Sequence, residues 1–242
     1  MKKFLSFLAF SFSLTSVPCR APAQVQPHAA AGPAFSVDAA AERIPNLDSV
    51  VTELKQYHDC TCTCGCYAHD LDMQADRAIA FLRRRAARRT PGEKLAVVLD
   101  IDETSLSNYT ELLSTSFVWN ASAFDAWVKT AAAPAIPGTL RLAKEAQRLN
   151  IPVFFITGRS DSETAATESN LHAQGYSWQQ LNLRPASTKG ESVTQYKSGV
   201  RAQIAAQGYK IVLNVGDQWS DLKGAPEAEF SVKYPNPYYL IP

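Results

Sequence analysis

An unbroken apolar run, Leu95-Ala96-Val97-Val98-Leu99, ends in two carboxylates one residue apart, in Asp100-Ile101-Asp102-Glu103-Thr104. Aliphatic residues without polar alternation read as a strand buried on both faces, the mark of a parallel sheet flanked by helices. Such a strand confines the chain to a layered α/β architecture. Open α/β sheets bind ligands in the crevice beyond the carboxyl ends of their strands, where Asp100 and Asp102 stand. Two acids so close are costly to bury without a cation. A hard ion such as Mg²⁺, which takes few carboxylates and keeps several waters, suits them.

The pattern recurs. Ile151-Pro152-Val153-Phe154-Phe155-Ile156 runs into Thr157-Gly158-Arg159, and Ile211-Val212-Leu213-Asn214-Val215 runs into Gly216-Asp217-Gln218-Trp219-Ser220-Asp221. Each run precedes a helical pattern, so the three ends are expected side by side on one sheet edge. A hydroxyl, a guanidinium and four aspartates would converge there. A lone aspartate after a strand is usually a turn or N-cap residue, but capping does not account for D-x-D together with G-D-x-x-x-D. Asp217 and Asp221 are four apart, so one helical turn puts both on the same side.

In this order, Asp-x-Asp-x-Thr, Thr-Gly-Arg, a lysine and Gly-Asp-x-x-x-Asp resemble the haloacid dehalogenase (HAD) superfamily. Longer strings narrow the resemblance: residues 100–108 (DIDETSLSN), 133–138 (APAIPG), 196–198 (YKS), 216–222 (GDQWSDL) and 235–239 (PNPYY). These are similar to the plant acid phosphatase and vegetative storage protein branch, itself related to the bacterial class C acid phosphatases, over roughly residues 45–242. The resemblance implies a Rossmann-like three-layer α/β/α parallel sheet with a small helical cap. It implies a secreted, Mg²⁺-dependent hydrolase of small phosphomonoesters that works through an aspartyl-phosphate. Asp100 is then the nucleophile and Asp102 the general acid and base. Asp100, Asp217 and the backbone carbonyl of Asp102 hold Mg²⁺, with Asp221 oriented through water. Thr157 and nearby backbone N–H groups hold phosphate oxygens at a helix start. Lys197 supplies positive charge, on the strength of the Tyr196-Lys197-Ser198 match; Lys189 and Arg159 could each serve. Asn108, Gly158 and Arg159 are expected substrate contacts, and Trp219, Tyr238 and Tyr239 read as packing.

Two other function classes fit the same fold. A non-catalytic storage or binding protein need not keep the nucleophile, whereas Asp100 is kept here. A dehalogenase needs a nucleophile but neither Mg²⁺ nor an acid two residues on, so Asp102, Asp217 and Asp221 favour phosphate. The net charge of +1 drives no general adhesion to nucleic acid or acidic membrane. Arg83, Arg84, Arg85, Arg88 and Arg89 read as a solvated helix end favoured by the dipole.

The first 23 residues read as a signal peptide: Lys2 and Lys3, then the apolar Phe4 to Val17, then Ala21-Pro22-Ala23. The apolar stretch is shorter than the about 20 residues a span needs, so no stable membrane span is expected. Export to the periplasm or beyond the cell follows, and Pro18 before Cys19 is wrong for a lipid anchor. Residues 24–41 read as a flexible linker and 42–242 as one domain, its helical cap drawn from about 43–90 and 105–136. Cys60, Cys62, Cys64 and Cys66 alternate in Asp59-Cys-Thr-Cys-Thr-Cys-Gly-Cys66, flanked by His58 and His69. They read as local disulfides on a solvent-facing insertion, with a soft-metal site or a redox pair as alternatives.

Overall fold

In the computed structural model, β1 (Lys94–Leu99) is the central strand of a five-stranded parallel sheet. Residues 45–62, 66–188 and 190–241 are described. The expected leader and linker, Cys64 and Lys189 lie outside them. The other strands are β2 (Val153–Ser160), β3 (Gln180–Arg184), β4 (Tyr209–Gly216) and β5 (Phe230–Lys233), in the order β3-β2-β1-β4-β5. β2 and β4 therefore flank β1 directly, with Leu99 level with Phe155 on one side and Val215 on the other. The three strand ends that carry acids, hydroxyl and guanidinium lie side by side, as their sequence grammar requires.

Period-two alternation divides β1 between two cores. Leu95, Val97 and Leu99 point into one, with residues of α2 (Tyr67–Ala86) and α5 (Pro137–Arg148). Ala96 and Val98 point into the other, with Tyr196, Val200 and Ile204 of α7 (Val193–Ala206). This is the three-layer α/β/α arrangement expected. α1 (Leu47–Asp59) packs on α2, α6 (Thr164–Ala173) follows β2, and α8 (Trp219–Leu222) is a single turn after β4.

The helical cap expected from about 43–90 differs in one respect. α2 does not sit over the sheet edge but lies on the sheet face against α5, with Leu71, Ala75, Ala78 and Leu82 buried. Small residues allow the close approach: a Cβ on Gly138 would stand 2.7 Å from Cβ of Ala75. Over the edge stand α3 (Tyr109–Ser114) and α4 (Ala121–Lys129), from the expected 105–136 stretch. α7 starts at Val193, one turn before Lys197. Ser192 caps it, accepting from the Gln195 N–H while the Gln195 side chain accepts from the Ser192 N–H.

Candidate active site

Asp100 leaves β1 already committed, because its N–H continues the ladder to the Val215 carbonyl at 3.0 Å. Its carboxylate is buried and accepts from Lys197 Nζ at 2.6 Å. The same ammonium donates to Asp221 Oδ1 at 2.5 Å. Lys197 sits in the second turn of α7, 4% exposed, so the helix delivers it under the sheet edge rather than to solvent. Among the described residues, Lys197 is the lysine hydrogen-bonded to these aspartates.

Carboxylate oxygens of Asp100, Asp217 and Asp221 lie within 4.8 Å of one another, all three residues buried. Asp217 Oδ2 accepts from Gln218 Nε2 and from Asn236 Nδ2, each at 2.7 Å, and Oδ1 accepts from Thr104 Oγ1 at 3.0 Å. Asp221 Oδ2 accepts from the Gln218 backbone N–H at 2.7 Å, which closes the single turn of α8. Gly216 is required beneath it, since a Cβ there would stand 2.3 Å from Cβ of Asp221. From below, Asn214 Nδ2 donates to the Asp221 carbonyl at 2.8 Å. The fully buried Arg201 donates to the carbonyls of Asp221, Lys223, Gly224 and Pro226. One turn of helix is thus fixed at both ends.

The electrostatics are unbalanced in one place. Burial raises the Asp100 carboxyl well above its usual range, the charge of Asp221 adds to this, and Lys197 offsets only part of it. Burial and Asp221 likewise raise Asp217. Lys197 is held protonated in spite of its burial by the charges of Asp100 and Asp221. Three buried carboxylates facing one ammonium leave excess negative charge, and an all-oxygen donor set with that excess fits a hard divalent cation.

Asp102 stands apart from this cluster. Its carboxylate accepts from Arg159 through Nε at 3.0 Å and through the terminal nitrogen at 2.7 Å, and from Asn108 Nδ2 at 2.8 Å. Burial would raise its pKa, but the charge and hydrogen bonds of Arg159, with Asn108, outweigh burial and hold it below the usual carboxylate range. Thr157 is buried, accepts from the Arg159 N–H at 3.1 Å and lies 3.5 Å from Asp102 Oδ2. Gly158 opens onto the cavity, and a Cβ added there would meet nothing within 4 Å.

Asn108, expected to touch substrate, has its side chain engaged with protein groups. Its amide donates to Asp102 and to Glu103 Oε2, and its oxygen accepts from Trp127 Nε1 at 2.9 Å. Arg159, also expected to touch substrate, is paired to Asp102. Behind them Glu103, at φ 52°, accepts from the Asn108 N–H at 2.6 Å and from the Tyr239 hydroxyl at 2.8 Å. Burial and the Asp102 and Asp217 charges push Glu103 up to about 8.

These groups face a cavity of about 550 Å³ whose floor carries Asp100, Asp102 and Lys197 and whose walls include Leu112, Trp119, Phe124 and Leu240. The arrangement pairs a buried carboxylate with a fixed ammonium, sets a second carboxyl beside it, and leaves open room among apolar side chains. Thr104, Gln218, Asn236 and Glu103 are site residues to which the sequence assigns no role, and Tyr239 reads there as packing, although all five lie in strings that carry the resemblance.

A family model described as HAD superfamily, subfamily IIIB (Acid phosphatase) matches residues 24–242. Acid phosphatase 1 of Solanum lycopersicum is 40% identical over 148 residues, which cover 60% of this chain and 58% of that protein. The chain thus spans less than two thirds of that relative's length. Vegetative storage protein 1 of Arabidopsis thaliana is 31% identical over 212 residues, 82% of this chain and 74% of that protein. The crystal structure of the class C acid phosphatase from Bacillus anthracis with tungstate bound superposes with a TM-score of 0.64 at 23% identity, covering 80% of this chain and 86% of that one. At that identity the likeness concerns the fold.

Proposed function

We infer that this chain, which belongs to subfamily IIIB of the HAD superfamily, the acid phosphatases, hydrolyses small phosphomonoesters through a phosphorylated Asp100. The observation that carries the proposal is the buried Lys197 bridging Asp100 and Asp221 beside Asp217, on the floor of an open cavity. Asp100, Asp217 and the Asp102 backbone carbonyl would hold Mg²⁺, which when bound neutralises excess carboxylate charge and phosphate oxygens together.

Each step has a residue to perform it. The Asp100 carboxylate attacks phosphorus in line, forming an acyl phosphate as the ester oxygen departs. Asp102 gives its proton to that oxygen. It then takes a proton from the water that attacks the phosphorus of the intermediate, which restores Asp100 and frees phosphate. Lys197 stabilises the charge building on the phosphoryl oxygens, and Thr157 with adjacent N–H groups orients them. Leu112, Trp119, Phe124 and Leu240 favour an aromatic or apolar leaving group over a bare sugar. Export, expected from residues 1–23, is part of the proposal and rests on sequence.

The deciding experiment is turnover of aryl, nucleoside and sugar monophosphates with Mg²⁺ and with EDTA, across roughly pH 4–8, where carboxyl and phosphate groups titrate. Hydrolysis that EDTA abolishes and Mg²⁺ restores, with aryl esters preferred, is expected. No turnover of any ester would leave the storage or binding reading instead.

Asn108 gives a sharper result. A hydrogen bond to a charged group contributes about 1.5–3 kcal/mol, so Asn108→Ala should lower kcat by roughly 10–100-fold. Because its amide serves Asp102 and not the substrate, KM should stay near wild type. A rise in KM at constant kcat would return Asn108 to substrate binding.

A further inference from the structure

Between α1 and α2 the chain carries cysteine at every second position, Cys60, Cys62, Cys64 and Cys66, for which the site above has no use. Cys60 and Cys66 are joined by a disulfide, their Cα atoms 5.6 Å apart. Sγ of Cys62, itself in disulfide form, lies 3.2 Å from Sγ of Cys60 and 3.5 Å from Sγ of Cys66. All three sulfurs fall within 4.8 Å of one another.

A staple alone explains this poorly. Cys60 and Cys66 are separated by 6 in sequence, so their bridge closes a short loop and removes little unfolded-state entropy. The helices it joins already meet: the Tyr57 hydroxyl donates to Asp70 at 2.6 Å, and the Tyr57 ring packs edge-on against Tyr67. What the cluster does offer is soft donors at close to the right spacing. Four sulfurs about 2.3 Å from a tetrahedral ion are about 3.8 Å from one another. His58, the flanking alternative, is otherwise engaged, with its ring stacked on Tyr109 at 3.3 Å and Nδ1 at 2.9 Å from Asp59.

We propose that this connection, once reduced by a dithiol, binds one soft d¹⁰ ion, Zn²⁺ or Cu⁺, through the sulfurs of Cys60, Cys62 and Cys66, at a site separate from the aspartate cluster. Each disulfide that holds these sulfurs, the Cys60–Cys66 bond and the one that engages Cys62, takes two electrons and two protons from one dithiol and becomes two thiols as that reductant becomes a disulfide. The ion then displaces thiol protons to solvent as metal–sulfur bonds form. Bridge and ion are alternative states of the same sulfurs. Thiolates reject Mg²⁺, and the carboxylate oxygens of the other site are poor ligands for Cu⁺, so the two sites do not compete.

The test uses the full chain, stripped of metal, reduced with dithiothreitol, desalted without oxygen and titrated with Co²⁺ as a coloured stand-in for Zn²⁺. One equivalent should give sulfur-to-cobalt charge transfer and the intense visible bands of tetrahedral Co²⁺, both erased by Zn²⁺ or Cu⁺; whichever erases them at lower concentration is the preferred ion. The unreduced chain should give neither band. Cys62→Ser leaves the Cys60–Cys66 pair intact and should weaken the ion by more than the roughly 10–100-fold that loss of an outer-shell partner costs. Retained Mg²⁺-dependent turnover checks that the variant is folded, and Cys66→Ser is a second variant should it not be. No charge-transfer band in the reduced wild type, or an unchanged one in both variants, overturns the proposal. That readout belongs to sulfur alone, so its failure leaves the phosphatase reading untouched.

Discussion

Asp100→Asn should reduce turnover by about 10⁴–10⁶-fold, the scale seen when a covalent nucleophile is removed and binding groups remain. The substitution keeps the shape of the side chain and removes the attacking charge. Unfolding should not be the cause. The folded pKa of Asp100 is raised, so its charged form costs stability at any pH above its unfolded value, and a neutral amide lifts that cost. Lys197 keeps Asp221 as a partner. Without divalent ions the variant should therefore melt at or above the wild-type temperature while losing its activity. Retention of a tenth of the wild-type rate would sink the covalent mechanism.

Asp102→Asn should cost about 10²–10⁴-fold in kcat for an alkyl ester, the usual contribution of a positioned general acid. An aryl leaving group needs less protonation, so the loss should shrink for an aryl phosphate. Equal losses for both esters would remove Asp102 from the acid role. The same carboxyl sets a pH dependence. Arg159 holds it below the usual range, so its acid form is lost as pH rises and turnover should climb toward acidic pH. Arg159→Met removes the charge that lowers it, so the alkaline limb of the kcat profile should move to higher pH, even if the maximum rate falls. A limb that stays in place would mean another group titrates.

Where side chains are apolar on both faces the strands are legible in the sequence: β1, β2 and β4 each stand on an apolar run, broken in β4 by Asn214 alone. β3 is not, because Gln180-Leu181-Asn182-Leu183-Arg184 is half-buried at the sheet edge and its alternation is weak. β5 has four residues, too few for a period. The acids at the strand ends are legible for the same reason as the strands. Lys197 needs the resemblance, since a lysine near a helix start usually faces solvent, and only the Ser192-x-x-Gln195 cap reveals that it lies a full turn inside α7. Thr104, Asn236 and Tyr239 are beyond reach in another sense. Each serves a carboxylate distant from its own local pattern, and no such pattern records which hydroxyl or amide an acid will meet.

Those spans bear on when the site comes into being. Lys197 meets Asp100 across 97 positions, Thr104 meets Asp217 across 113, and Tyr239 meets Glu103 across 136. Closing such loops is entropically slow, and parallel strands delay it further because each pairing waits for a crossover. Helices such as α2 and α7 can form early from local contacts, but Lys197 and the Asp221 turn cannot meet Asp100 until β4 has docked beside β1. During refolding, helical content should return first and catalytic competence last, so that a partly folded chain carries no assembled site.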